Sequence, residues 1–306
     1  MIIKLDEIGD MVTSLHVFHS LHEQYPNAQI DLYCKPVNRI LFNHLPYVLC
    51  IDDLESKKYD LIVDLRGNYK SLAFAWKNRP AKRVDRGTVR MRNKFTGGQK
   101  NELDTNFEII QDLISTVTKK PNAITTDLEE KSRVDQWLNQ IGINNYVVMH
   151  IGAREEIRRW PIKRFQAIIK YLHKHNKEVV LAGGPDDRDL NVSCMSGLNS
   201  GVFNAAGVFN LLEFSELCSR ADLFIGNESG PLHIAAANRI PIIALFGPGV
   251  HKVFYPIGNQ VRIHHYFLPN KHKKQNMSNS TINKITVEEV IDSINQLLHL
   301  KDEEVV

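Results

Sequence analysis

Residues 221–249 read ADLFIGNESGPLHIAAANRIPIIALFGPG, and few folds accept residues in that order. Residues 221–226 form a largely apolar run and 227–230 a tight polar turn. Residues 231–238 form a short helix opened by Pro231, and 241–246 a second apolar run. Proline suits a first helical position because its missing N–H would have gone unpaired there anyway. A strand, a short helical crossover and another strand predict a parallel βαβ unit.

That geometry carries chemistry with it. Ser229 and Gly230 open the helix, where free backbone N–H groups and the helix dipole favour an anion. Gly230 has no side chain, so a phosphate can approach the backbone. Glu228 can accept a hydrogen bond from a ribose hydroxyl, and His233 falls within the first helical turn. The same residue types also fit a plain tight turn with His233 in the core, because phosphate binding is one use of such turns among several.

At 306 residues the chain has room for two domains, and its formal net charge of +3 tolerates anionic ligands without marking a nucleic-acid binder. Cys34, Cys50, Cys194 and Cys218 show no C-x-x-C spacing, so free thiols are expected rather than a disulfide framework or a zinc site. No run approaches the roughly 20 apolar residues that span a bilayer. Residues 1–10, MIIKLDEIGD, lack the apolar core of a signal peptide. The expected location is therefore cytoplasmic, with peripheral membrane contact at most.

In the N-terminal half, strands are expected at residues 1–5, 28–34, 48–51 and 59–64, and helices at 10–24 and 37–44. That alternation predicts a parallel sheet with helices on both faces. No G-x-G-x-x-G follows the first strand, which counts against an ordinary NAD site. Asp10 lies beyond the carboxyl end of that strand, where ligands bind in such sheets; its structural alternative is a helix N-cap. Residues 64–92 hold nine lysines and arginines. Among them, Arg66 and Lys70 fall in the loop region after the strand at 59–64. Such a run is either a solvated basic face or a surface for an anionic acceptor. Residues 96–104 read as a polar loop, 105–116 as a helix, and 119–127 as the domain boundary.

The C-terminal half repeats the pattern. A helix at 129–141 is followed by a strand at 146–151 that runs into Gly152 and Ala153. After R-R-W-P a helix extends to residue 175. A strand at 178–182 then ends in Gly183-Gly184-Pro185. This second βαβ series predicts a second Rossmann-like domain. Trp160 is expected to anchor the helix start. Residues 251–283 read as a polar surface loop in which His264, His265 and His272 lack metal-ligand spacing. Residues 285–298 form an amphipathic helix.

Four segments carry a family resemblance. N-E-S-G-x-x-H-x-A-A-A, followed by a strand and F-G-P (227–248), resembles the nucleotide-sugar site of the lipopolysaccharide heptosyltransferases, glycosyltransferase family 9. I-K-L-x-x-I-G-D (3–10), D-L-x-G-x-x-K-S (64–71) and H-x-G-A with R-R-W-P (150–161) resemble the same family. The resemblance implies a GT-B fold: an α/β chain of two Rossmann-like domains facing a cleft, with parallel sheets. Residues 1–127 would form the acceptor-side domain, joined by the last helix (285–299) packing back across the domains. Residues 128–284 would bind the nucleotide sugar.

The implied reaction is inverting glycosyl transfer, most simply of heptose from ADP-heptose, to an anionic saccharide or lipid-linked acceptor such as a lipopolysaccharide core. Asp10 would be the catalytic base and Arg158 would stabilise the leaving diphosphate. Gly152, Ala153, Asp187, Glu228, Ser229, Gly230 and His233 would hold the donor, and Arg66 and Lys70 the acceptor. No cofactor or metal is expected, because helix N-termini and Arg158 supply positive charge; nor is nucleic acid a partner. The family usually has Asp at the position of Glu228 and Lys at that of Arg158. Two alternatives stay open: another nucleotide-sugar enzyme on this fold, such as an epimerase or a UDP- or GDP-sugar transferase, and a nucleotide-binding relative without catalysis.

Overall fold

In the computed structural model, described here for residues 1–54, 57–96, 100–115, 124–198, 200–248, 251–266 and 280–300, the chain divides into two units, Met1–Thr125 and Thr126–Val306. The expected boundary at 119–127 and the loop carrying His272 fall partly outside the described residues.

The first unit contains β1 (Ile2–Lys4), α1 (Ile8–Val12), α2 (Leu15–Gln24), β2 (Ile30–Cys34), β3 (Val48–Ile51), β4 (Leu61–Asp64), α3 (Tyr69–Asn78), β5 (Lys82–Asp85), α4 (Arg86–Thr96) and α5 (Glu102–Ile110). Its five strands are all parallel, in the order β3-β2-β1-β4-β5. All three residues of β1 are buried, as a central parallel strand covered on both faces requires.

Two expectations change here. The helix expected over 10–24 is broken: the Thr13 hydroxyl donates to the Asp10 carbonyl (3.0 Å) and the Ser14 hydroxyl to the Met11 carbonyl (2.7 Å). Such local side-chain bonds compete with the helical ladder. Asp10 therefore sits inside the first turn of α1, whose N-cap is Glu7. Furthermore, residues 82–92 of the basic stretch lie in a strand and in a helix that runs on to Thr96, and the helix expected from residue 105 already begins at Glu102. Charged side chains had masked the underlying periodicity.

The second unit contains α6 (Leu128–Ile141), β6 (Tyr146–His150), α7 (Ile162–Lys174), β7 (Glu178–Leu181), α8 (Arg188–Met195), β8 (Val202–Asn204), α9 (Leu211–Ser219), β9 (Leu223–Asn227), α10 (Gly230–Ala237), β10 (Ile242–Phe246), α11 (His251–Phe254), β11 (Val261–His265) and α12 (Val287–Leu298). Its six parallel strands run β11-β10-β9-β6-β7-β8. Numbered from β6, that is 6-5-4-1-2-3, the doubly wound order of a dinucleotide-binding sheet. Strand β11 lies within the stretch expected to be an irregular loop. It is an edge strand with a mixed burial pattern, so it lacks the apolar run that marked its neighbours.

Helix α12 packs on α7 and beside β10 within this unit. Its N-terminus is closed by a reciprocal capping box: the Glu289 amide donates to Thr286 Oγ1 (3.2 Å) and the Thr286 amide to Glu289 Oε2 (2.7 Å). Trp160 fixes the neighbouring junction. Its ring is 1% exposed, stands edge-on to Phe165 and donates its indole N–H to the Ile285 carbonyl at 3.0 Å. Trp160→Ala should therefore cost the second unit about 3–5 kcal/mol, the usual range for truncating a buried aromatic. Urea unfolding of the full chain, followed by far-UV circular dichroism, measures the loss.

Candidate functional site

In a doubly wound sheet the strand order reverses at one point, and the loops leaving the two strands there diverge to opposite faces and open a crevice. In the second unit that point lies between β6 and β9, whose last residues are His150 and Asn227. Asn227 is fully buried. Its amide donates to the carbonyls of Ile151 (2.8 Å) and Gly152 (3.4 Å), and its Oδ1 accepts from the Trp160 amide (3.1 Å). One carboxamide thus sets the course of the loop holding Gly152, Ala153 and Arg158. Arg159 adds a bond from Nε to the Ala153 carbonyl (2.9 Å), and the Ser280 hydroxyl one to the Ile157 carbonyl (2.7 Å). Gly247, after β10, lets that strand end approach: a Cβ there would lie 3.3 Å from the Arg158 Cα.

The turn 227–230 brings Glu228, Ser229 and Gly230 to the same end of the sheet. Ser229 is the N-cap residue of α10, but its side chain makes no capping bond. Its hydroxyl instead lies 3.0 Å from His150 Nδ1 and 3.0 Å from the Asn227 carbonyl. His150 Nε2 is 3.4 Å from Asp187 Oδ2, which also accepts from the Gly184 amide at 2.9 Å. Burial alone would push the Asp187 carboxyl up. The hydrogen bond and charge of His150, with Gly184 and Arg159, outweigh it and hold the group below the usual carboxylate range. An ionised Asp187 only accepts, so His150 Nε2 carries the proton between them, and the Ser229 hydroxyl, with its one proton, donates to the Asn227 carbonyl. Gly152 and Gly183 make room for this arrangement, because a Cβ at either position would overlap the Asp187 carboxylate.

Glu228 is buried and 3.5 Å from Arg158 Nη1, while Arg158 remains 34% exposed and also faces Glu155 at 3.4 Å. Burial raises the Glu228 carboxyl; Arg158 offsets part of that and Glu155 adds to it. Glu228 Oε2 is buried with no hydrogen-bond partner among the described residues. His233 is buried within α10. The structure therefore gathers Gly152, Ala153, Arg158, Asp187, Glu228, Ser229, Gly230 and His233 around the carboxyl ends of β6, β7 and β9. Asp187 is linked to Ser229 through His150.

The first unit has its own reversal point, between β1 and β4. Asp64, fully buried at the end of β4, accepts from the Arg66 and Gly67 amides (3.0 and 2.8 Å) and from the Ser71 hydroxyl (2.5 Å), which shapes the loop into α3. Lys4, also fully buried, lies 3.2 Å from Asp6 and 3.4 Å from Glu102. Arg86 pairs with Glu102, and Arg66 with Asp6. Burial pushes the Asp10 carboxyl above its ordinary value; Lys4 and Arg86 draw it down, while Glu102 and Asp6 push it up again. Of the two acceptor candidates, Arg66 pairs with Asp6 but keeps 45% of its side chain exposed. Lys70, on the first turn of α3 rather than in the loop, is exposed.

Sequence reasoning missed Asn227, the His150–Asp187 link, and the buried Lys4–Glu102–Arg86 cluster. The first had a signal: a carboxamide closing an apolar strand must find partners. The last had none, because Glu102 lies far along the chain from Lys4.

Both units are Rossmann-like and each presents polar residues at its reversal point, where ligands bind in such sheets. A model of glycosyltransferase family 9 (heptosyltransferase) matches residues 50–284, well over half the chain, and the protein belongs to that family. It is 28% identical to lipopolysaccharide heptosyltransferase 3 of Escherichia coli, over 83% of this chain and 84% of that protein. The glycosyl transferase family 9 structure from Veillonella parvula superposes with a TM-score of 0.81 at 18% identity, covering 97% of this chain and 96% of that one. The E. coli ADP-heptose lps heptosyltransferase II structure gives 0.77 at 22% identity, covering 97% and 98%. The fold is accordingly of the GT-B type. No helix among the described residues is long and apolar enough to cross a membrane.

The raised Glu228 carboxyl fixes a sign. An acid whose folded pKa lies above its unfolded value of 4.5 ionises first in the unfolded chain, so stability falls as pH rises through that window. Glu228→Gln should therefore be more stable than the parent at pH 7, with the difference closing as pH falls below 4.5. Thermal unfolding across pH measures this.

Proposed function

We propose that the protein transfers heptose from ADP-heptose to an anionic saccharide acceptor of the lipopolysaccharide-core kind, with inversion at the anomeric carbon. The observation that carries this reading is the turn 227–230 at the reversal point of the second sheet. There a side-chain-uncapped helix start, a cation on Arg158 and a buried carboxylate oxygen on Glu228 stand together. The names of the E. coli relatives support the choice of sugar and nucleotide.

The diphosphate would lie against the first amides of α10 and Arg158, and Glu228 Oε2 would accept from a ribose hydroxyl. Gly152 and Ala153 would offer backbone to the donor. Asp187 and His150 would hold Ser229 in place, and His233 would line the same turn. The acceptor, held by Arg66 and Lys70, attacks the anomeric carbon through a hydroxyl oxygen. As that C–O bond forms, the bond to the diphosphate oxygen breaks. Asp10 takes the hydroxyl proton. The negative charge left on the diphosphate meets Arg158 and the α10 amides, so the residues present supply the compensating charge without a metal. Raised by burial, Asp10 is a stronger base than an exposed aspartate. The acid limb of kcat/KM should accordingly lie above the ordinary aspartate value of 3.8. The reaction would take place on the cytoplasmic side of the membrane.

Thermal unfolding with ADP, UDP and GDP tests the donor. ADP at about 100 times its dissociation constant should add about 2.7 kcal/mol, and the other two markedly less. Preferential stabilisation by UDP or GDP would replace the donor, and no response to any nucleotide would remove the reading. Arg158→Ala should weaken ADP binding by about 1.5–3 kcal/mol, the scale of hydrogen bonds to charged groups. Asp10→Ala should abolish transfer from ADP-heptose while leaving ADP affinity unchanged, as isothermal calorimetry beside a transfer assay will report. Loss of ADP affinity in that variant would make Asp10 a structural residue.

A further inference from the structure

Helix α3 turns its apolar stripe outward. Ser71, Ala75 and Asn78 face the sheet and are buried. Tyr69, Leu72, Ala73 and Trp76 recur at helical spacing on the opposite side, where Tyr69 is 76%, Leu72 48% and Trp76 80% exposed. With Arg79 and Arg83 these residues line an open groove of about 590 Å³. Lys70 and Lys77, seven residues apart, run along the flank of the stripe. Residues 65–84 contain no Asp or Glu. Arg83 reaches Asp85 at 3.3 Å, but Lys70, Lys77 and Arg79 have no ion pair among the described residues.

A tryptophan, a tyrosine and a leucine held together in water are costly unless something covers them. The chemistry of the patch selects the cover. Its groove lining offers no carboxylate or carboxamide to the hydroxyls of a sugar. A second copy docked by a two-fold axis would bring this patch, with Lys70, Lys77, Arg79 and Arg83 and no acid between residues 65 and 84, against the same positive patch, a like-charge contact. An anionic lipid surface satisfies both parts: indole and phenol rings settle at the headgroup level, and lysines and arginines meet phosphates.

We infer that α3 docks the first unit on an anionic phospholipid bilayer. Trp76, Tyr69 and Leu72 enter the boundary between headgroups and acyl chains, and Lys77 and Arg79 sit against the lipid phosphates. The inference goes beyond the proposed transfer reaction and does not depend on the identity of the donor.

Co-sedimentation of the full chain with vesicles, without nucleotide or saccharide, tests it. Vesicles containing phosphatidylglycerol should bind the protein and pure phosphatidylcholine vesicles should not. Binding should vanish near 1 M salt, where the screening length is about 3 Å. The tryptophan emission should shift to the blue on binding, and Trp76→Phe should remove most of the shift, because Trp160 is already buried and Trp137, in the other unit, is half-buried against Phe209. Leu72→Ser with Trp76→Ser should reduce partitioning at least tenfold. Lys77→Gln and Arg79→Gln should each reduce it about fivefold. These side chains are exposed, so unchanged melting temperatures will confirm that the variants fold. Failure of the parent chain to bind, equal binding to both vesicle types, or full binding by the Leu72/Trp76 variant would overturn the inference. So would a dimer in light scattering that the Trp76 change dissociates. ADP binding measured on the same variants separates this result from the donor reading: it should be unchanged throughout.

Discussion

Asn227 has to satisfy three backbone groups at once, and the second unit is arranged around its doing so. At the end of β9 its side chain joins the two strands that flank the reversal point and the start of the loop into α7. A parallel sheet buries both faces, so every polar group at its carboxyl edge must be paired or wet. The carboxamide can do both jobs, donating to two carbonyls and accepting one amide. An aspartate at this position would have no proton for the Ile151 and Gly152 carbonyls, and a leucine would leave all three groups unpaired. The polar residue at the end of the apolar run is thus a structural necessity that leaves Glu228 and Ser229 at the strand end.

The two units solve the same geometric problem with opposite electrostatics. At the β6–β9 reversal a neutral amide does the tying, and the charged groups, Glu228 with Arg158 and Asp187 with His150, stand around it. At the β1–β4 reversal the tying is ionic. Lys4 and Glu102 are both almost wholly inaccessible, and Arg86 closes the cluster. Buried ion pairs seldom exceed the desolvation they cost, so stability is a weak reason for such a cluster. What the cluster does is set the field at Asp10. Lys4 and Arg86 restrain a carboxyl that burial, Glu102 and Asp6 all push toward the neutral form.

Residues that act through the backbone were legible in the sequence, and residues that act through distant side chains were not. Residues 221–246 announced a strand, a turn, a helix and a strand, because apolar runs, a polar turn and a proline at the helix start are local signals. The site candidates in that stretch followed from the same signals. The break between α1 and α2 was less visible, since Thr13 and Ser14 are acceptable helix residues whose hydroxyls could have pointed elsewhere. Strand β5 was hidden because its sequence, KRVD, reads as charge, although its register beside β4 is regular. The link from Asp187 through His150 to Ser229 joins three separate loops. Only the strand order β9-β6-β7 brings them together, and that order is a property of the whole sheet.

The pairing of Arg158 with Glu228 bears on the two positions where the family resemblance leads one to expect Lys and Asp. Each departure considered alone weakens the site: a longer acid misplaces its carboxylate by about one bond, and a guanidinium is not an ammonium. The two meet at 3.5 Å. A planar fork can keep one nitrogen on the carboxylate and present others to a second anion, which a compact ammonium does less well. Glu228 in turn keeps one buried oxygen without a protein partner. The longer acid and the forked base thus meet as a pair. On the proposed reading, the pair offers one cationic edge to a diphosphate and one acceptor oxygen to a ribose.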